Sequence, residues 1–124
     1  MANELILIVE DDHKSRKLVR DLLMVKGYEI IEAETGEDGV RLAQERLPSL
    51  VLMDIQLPGI DGIQALGRLR AEVATREIPV MAVTASVMAG DRQRVLDAGF
   101  DAFQSKPIKI RDFVSVVEQL LKRQ

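Results

Sequence analysis

Short apolar runs alternate with amphipathic helical patterns along the chain, and this alternation limits the fold more than any other feature. Three runs, Leu5–Val9, Leu50–Met53 and Pro79–Val83, are rich in branched aliphatic residues and have the length of buried strands. Two shorter runs, Tyr28–Ile31 and Phe100–Phe103, complete a set of five. Strands that alternate with helices predict an α/β fold, a parallel sheet covered on both faces with right-handed crossovers.

Five helical patterns separate and follow these runs. We predict that Thr35 and Asp61 cap the second and third helices, that Gly27 closes the first, and that the fourth spans Asp91 to Ala98. Residues at helical spacing are expected to face the core: Leu18, Val19, Leu22 and Leu23, then Val40, Ala43 and Leu47, then Ile63, Leu66 and Leu69, and finally Phe113, Val114, Val117, Leu120 and Leu121.

The composition excludes several functional classes. The 124 residues suit one domain, and the net charge of −3 without a dense basic cluster argues against a nucleic-acid partner. With no cysteine and only His13 as histidine, disulfides and thiolate or imidazole metal cages are excluded. The amino terminus lacks a signal-peptide pattern, and no apolar run approaches the length of a membrane span. We therefore expect one domain over residues 1–124, cytoplasmic and not bound to a membrane.

Carboxylates follow two of the predicted strands directly. Glu10, Asp11 and Asp12 come after Leu5–Val9, and Asp54 comes after the Leu50–Met53 run. Parallel α/β sheets place their sites at the carboxyl ends of strands, so these groups are expected to converge if the two strands are neighbours. Repulsion would then raise their pKa values, and a divalent cation would relieve it. A site made only of oxygen ligands suits Mg²⁺.

Some of these residues have simpler explanations when each is taken alone. Asp12 is well placed to cap the first helix, but this leaves the other three carboxylates unexplained. An isolated Lys106 would be an ordinary surface lysine, and Thr84 an ordinary strand-end residue. At the ends of two further strands, however, the ammonium and the hydroxyl are suited to holding a phosphoryl group. His13 is expected in the first turn of the first helix, with a docking role or none.

Together these groups supply what phosphoryl transfer to an aspartate requires, which is a carboxylate nucleophile surrounded by positive charge and hydrogen-bond donors. The chain resembles the response-regulator receiver domain of two-component signalling over nearly its full length. Four stretches in the same order carry this resemblance: Ile8–Asp12, Leu52–Gly59, Val83–Ala85 and Ser105–Pro107.

The resemblance implies a flavodoxin-like (CheY-like) doubly wound (βα)₅ fold with strand order 2-1-3-4-5. It implies that Asp54 accepts a phosphoryl group from a histidine kinase or a histidine phosphotransfer protein. It also implies that Asp11, Asp54 and the main-chain carbonyl of Gln56 bind Mg²⁺, and that Glu10 acts through a water molecule.

The resemblance also assigns a conformational switch. Thr84 and Lys106 would hold the phosphoryl oxygens, and Phe103 would turn inward when Thr84 moves, although a simple core position for Phe103 is an alternative. The surface formed by the fourth helix, fifth strand and fifth helix would then engage a downstream protein target. The Lys106–Pro107 peptide bond would be cis.

Two other functional classes are weighed against this one. An aspartyl-phosphate hydrolase would carry a second aspartate two residues after the nucleophile, where this chain has Gln56. A degenerate receiver that binds partners without phosphorylation would not need the complete acidic set, Thr84 and Lys106. We therefore expect no turnover of an external substrate. The stretches Met53–Pro58 and Met88–Asp91 are most similar to stand-alone receivers of the DivK type, for which relay and adaptor roles are both open.

Overall fold

In a computed structural model of the protein, residues 4–85 and 89–122 are described, and strands alternate with helices throughout. The strands are β1 (Leu5–Val9), β2 (Glu29–Ala33), β3 (Leu50–Met53), β4 (Val80–Thr84) and β5 (Ala102–Ser105). The helices are α1 (His13–Val25), α2 (Gly36–Arg46), α3 (Gly62–Ala71), α4 (Ala89–Asp97) and α5 (Ile110–Lys122). Among the described helices, none is both long and apolar enough to cross a membrane.

The sheet has the predicted topology. All four strand pairs are parallel, and the order is β2-β1-β3-β4-β5, which confirms the flavodoxin-like fold. Strand β1 lies between β2 and β3, and Val9 is in register with Met53. The residues that follow these two, Glu10 and Asp54, therefore lie side by side at the carboxyl edge of the sheet.

Side-chain alternation along the central strands divides the core into two layers. In β3, Leu50 and Leu52 face the layer that holds α1 and α5, and Val51 and Met53 face the layer that holds α2, α3 and α4. Because both faces are covered, every residue of β3 is buried. The two layers fix the strands against each other and so hold the strand ends in place.

The capping residues predicted for the first three helices form their capping hydrogen bonds in the structure. The Asp12 side chain accepts a hydrogen bond from Ser15 N, and the Thr35 side chain accepts one from Asp38 N. Asp61 forms a full capping box at the start of α3. Because α1, α2 and α3 follow β1, β2 and β3 in the chain, their capped first turns lie toward the carboxyl edge of the sheet.

Two residues predicted to face the core do not. Leu18 is 53% exposed and Leu47 is 54% exposed. The buried face of α1 is narrower than predicted and centres on Val19 and Leu23. Leu47 lies beyond the last turn of α2, where a left-handed backbone conformation, with φ of 48°, takes it out of the helical repeat.

Strands β2 and β5 run two residues further toward the carboxyl edge than predicted, whereas Thr84 ends β4 as the sequence predicts. β4 ends at Thr84 and β5 at Ser105, because these two residues pair with each other through their backbones. α4 begins at Ala89, two residues before the predicted Asp91. Of the stretch Met88–Asp91, Met88 lies outside the described residues.

Candidate functional site

Three carboxylates meet at the carboxyl edge of β1 and β3. Oxygen atoms of Glu10, Asp11 and Asp54 all lie within 4.8 Å of one another. Glu10 is 5% exposed and Asp54 is 6% exposed, whereas Asp11 is open to solvent. Two buried acidic groups and one accessible group thus share a small volume, as the sequence predicts for neighbouring strands.

A single ammonium group bridges the two buried carboxylates. Lys106 Nζ donates to Asp54 Oδ2 at 3.1 Å and also to Glu10 Oε1. Lys106 immediately follows β5, where its backbone N–H donates to Thr84 O at 2.9 Å. The Lys106–Pro107 peptide bond is cis, the isomer that the resemblance implies. The Lys106 side chain therefore reaches the carboxylates from the end of β5, the strand at the edge of the sheet.

The electrostatics of the site are governed by burial. Burial raises the pKa of Glu10 to about 7, while hydrogen bonds from Lys106 and Asp12 N oppose the rise and the neighbouring Asp54 adds to it. For Lys106, burial lowers the pKa, but its bonds to Glu10 and Asp54 outweigh that effect and the pKa is raised overall. Lys106 thus remains an ammonium ion and offsets only part of the negative charge.

The Asp54 carboxylate is held at both oxygens. Oδ1 accepts a hydrogen bond from Gln56 N at 3.0 Å, and Oδ2 accepts the one from Lys106. The Asp54 backbone N–H continues the sheet ladder by donating to Val9 O at 3.0 Å. These contacts orient the side chain toward the acidic group and away from the core.

Gly62 packs against the backbone of Asp54, a contact that no pattern in the sequence predicts. A Cβ atom built on Gly62 would lie 2.8 Å from Ile55 Cα and closer still to Asp54 O. Gly62 N also donates to Ile55 O at 2.9 Å. The first turn of α3 is therefore pressed onto the residue after β3. Its only signal in the sequence is a glycine just after the cap Asp61.

The predicted switch residues lie on β4 and β5, the two strands beyond β3 in the sheet. Thr84 is buried at the end of β4, and Phe103 is a partly buried residue of β5. The guanidinium carbon of Arg92, on α4, lies 5.9 Å from the centroid of the Phe103 ring. His13 is the exposed first residue of α1, as expected. Ser86, the residue that follows Ala85, is not among those the structure describes.

Comparisons with known proteins agree with this geometry. The sequence profile of the response regulator receiver domain matches residues 6–118. Over 116 residues the chain is 41% identical to the polar-differentiation response regulator DivK of Brucella ovis, and the match covers 94% of both chains.

Solved structures with the same fold extend the comparison. A putative response regulator from Chloroflexus aurantiacus has a TM-score of 0.93 and 28% identity, covering 98% of this chain and 99% of that one. The receiver domain of a sensor histidine kinase from Pseudomonas aeruginosa, which has a magnesium ion coordinated in its active-site cleft, has a TM-score of 0.90 and 30% identity with the same coverage. The likeness thus includes every strand and is not confined to one motif.

Substitution of Gly62 tests the close packing beneath Asp54. Gly62→Ala should lower the free energy of unfolding by about 1–3 kcal/mol, because the new methyl group collides with backbone that cannot move freely. Gly67→Ala is the matched control, since it lies in the same helix and its added Cβ would meet nothing within 4 Å. That control should gain about 0.5–1 kcal/mol in helix propensity. Urea denaturation measures both, and equal stability of the two variants would contradict the close contact.

Proposed function

The chain belongs to the response-regulator receiver family, and we propose that it is a phosphoacceptor switch in which Asp54 receives the phosphoryl group. One observation carries the proposal, the convergence of three carboxylate groups and the Lys106 ammonium at the ends of β1, β3 and β5. A structural ion pair would not require the third, exposed carboxylate of Asp11. Phosphoryl transfer requires a nucleophile, neutralising positive charge and an opening through which the phosphodonor can reach them.

In the proposed reaction, an oxygen of the Asp54 carboxylate attacks the phosphorus atom of a phosphohistidine on the donor protein. The new O–P bond forms as the P–N bond to the donor imidazole breaks, and the electron pair of that bond leaves with the imidazole. Lys106 and the Thr84 hydroxyl bind the oxygens of the transferring group. Their positive charge and hydrogen bonds stabilise the negative charge of the transition state.

The residues present fit a Mg²⁺ ion. All donors are oxygens, one of the carboxylates faces solvent, and Lys106 balances only part of the charge. Asp11, Asp54 and the main-chain carbonyl of Gln56 would hold the ion, and Glu10 would act through water. Bound there, Mg²⁺ would neutralise charge on the phosphoryl oxygens.

Phosphorylation is proposed to act through a two-state equilibrium of Thr84 and Phe103. In the unphosphorylated protein the contact with Arg92 favours the present position of the Phe103 ring by about 0.5–1 kcal/mol. Attraction of Thr84 toward the phosphoryl group would open space for the ring to turn inward. The surface of α4, β5 and α5 would change with it, and a downstream protein would detect the difference.

The phosphoryl group is proposed to remain on the protein until it is hydrolysed or passed on, without turnover of an external substrate. Gln56 occupies the position where an aspartyl-phosphate hydrolase carries its general acid, and an amide has no acidic proton to give. Its backbone N–H instead binds Asp54 Oδ1. The site therefore favours storage of the group over multiple turnovers.

Acetyl phosphate tests the acceptor directly. With Mg²⁺, the wild-type chain should gain one phosphoryl group, detected by intact-protein mass spectrometry, and Asp54→Asn should gain none. Asp101→Asn is the control, because Asp101 precedes β5 at the opposite edge of the sheet and should leave phosphorylation unchanged. An adduct that persists in Asp54→Asn would overturn the assignment.

Removal of the bridging ammonium tests its part in transfer. Lys106→Met should slow phosphorylation of Asp54 by about 10- to 100-fold, because a donor to the transferring oxygens is lost. Lys109→Met removes an exposed lysine from the same loop and should leave the rate unchanged. The initial rate with acetyl phosphate at saturating Mg²⁺ measures both. Equal rates in the two variants would exclude a direct role for Lys106.

Phosphotransfer profiling tests the partners. Purified histidine kinases that carry a phosphohistidine should transfer the group to the wild-type chain and not to Asp54→Asn. The phosphorylated chain is then mixed with histidine phosphotransfer proteins and with candidate targets. Onward transfer identifies a relay, and stable binding that requires phosphorylation identifies an adaptor. Absence of any transfer from a complete kinase set would contradict the proposed function.

A further inference from the structure

Arg16, on the first turns of α1, connects the acidic loop to the edge of the sheet. Its side chain is 12% exposed. Nη1 donates to the main-chain carbonyl of Glu10 at 2.9 Å, and Nε donates to Glu32 Oε1, on β2, at 2.9 Å. The planar guanidinium group thus binds the loop and the neighbouring strand at once, which a lysine ammonium cannot do with the same geometry.

The orientation of the Glu10 carbonyl affects the position of the next residue, Asp11. This carbonyl belongs to the peptide unit between Glu10 and Asp11, so its direction sets where the Asp11 side chain begins. The Glu10 side chain already has its own partners in Asp12 N and Lys106. The Asp11 carboxylate, in contrast, makes no hydrogen bond or ion pair within the described part of the chain, and its position depends on the backbone that carries it.

We infer that Arg16 is a positioning residue for the metal site, which acts by fixing the Glu10–Asp11 peptide unit so that the Asp11 carboxylate faces Asp54. This inference rests on the proposed function in one respect, the binding of Mg²⁺ by Asp11 and Asp54. Groups that orient the ligands of a metal ion contribute to its affinity without touching the ion. Arg16 would act on Mg²⁺ affinity in this way and would not contact the phosphoryl group.

Arg20 provides a matched control on the same helix. It also binds Glu32, with Nη1 to Oε2 at 3.2 Å, so Arg16 and Arg20 share an acidic partner. The bonds of Arg20 are to Glu32 and Asp21, and they do not include the Glu10 carbonyl. A comparison of the two arginines therefore separates the loop contact from the loss of a cation or of an ion pair with β2.

The test is a Mg²⁺ titration of the full chain without a phosphodonor, followed by isothermal calorimetry or amide chemical shifts. Arg16→Gln should weaken Mg²⁺ binding by roughly 10-fold. Arg20→Gln should stay within about twofold of the wild type, because a partly exposed ion pair contributes little. Amide shifts in the metal-free protein should change at Asp11 in Arg16→Gln and stay at their wild-type values there in Arg20→Gln.

The kinetics of phosphorylation then distinguish an effect of Arg16 on Mg²⁺ affinity from an effect on the rate of phosphoryl transfer. With acetyl phosphate, Arg16→Gln should raise the Mg²⁺ concentration for half-maximal rate by roughly 10-fold, and the rate at saturating Mg²⁺ should be retained. If Arg16→Gln does not fold, Arg16→Lys replaces it, and a single ammonium should still weaken Mg²⁺ binding by about threefold.

Equal Mg²⁺ affinity in the Arg16 and Arg20 variants would overturn the inference, as would absence of Mg²⁺ binding by the wild type. A wild type that binds Mg²⁺ but accepts no phosphoryl group would instead refute the proposed function and leave the positioning role intact.

Discussion

Burial of two neighbouring carboxylates is the constraint on which the rest of the site depends. Parallel pairing of β1 with β3 places Glu10 next to Asp54, and neither group is free to move into solvent. Burial of unpaired charge is costly, so the fold must bring positive charge to this place. Lys106 supplies part of it from the end of β5, and this links the acidic pair to a strand two positions away from β3. The cation and the phosphoryl chemistry proposed for this site would both act on the charge that is left.

The sequence predicts the central strands and the carboxylates that follow them, because burial determines both the residue types within those strands and the points where they end. Residues of β1 and β3 are buried on both faces, so their apolar runs mark the strands and the carboxylates that follow mark the strand ends. Caps at Asp12, Thr35 and Asp61 can be predicted because each is satisfied within its own first turn. The predicted bounds of the edge strands, β2 and β5, are less accurate. β2 and β5 end where backbone pairing ends, and polar residues such as Glu32 and Gln104 pair as well as apolar ones.

What the sequence does not predict are contacts between separate segments that leave no periodic pattern. Arg16 has the appearance of an ordinary exposed residue of an amphipathic helix, yet it binds the Glu10 carbonyl and Glu32 together. Leu18 has the appearance of a core residue and is half exposed, since the helix turns that part of its surface away from the sheet. Gly62 is separated from Asp54 by a turn, and only the folded chain shows how closely their backbones approach.

The contact between Gly62 and Asp54 makes the packing around the proposed acceptor uneven. On the α3 side of Asp54, the atoms closest to Gly62 are backbone atoms of Asp54 and Ile55, which cannot change rotamer as a side chain can. Across the sheet, β4, β5 and α4 present Thr84, Phe103 and the exposed Arg92, all of which have rotatable side chains. If Asp54 is phosphorylated as proposed, the backbone contact with Gly62 would resist movement on the α3 side, and the side chains on the other side would be freer to adjust. We would therefore expect the response to be directed toward α4, and a glycine at the start of α3 would contribute to that direction.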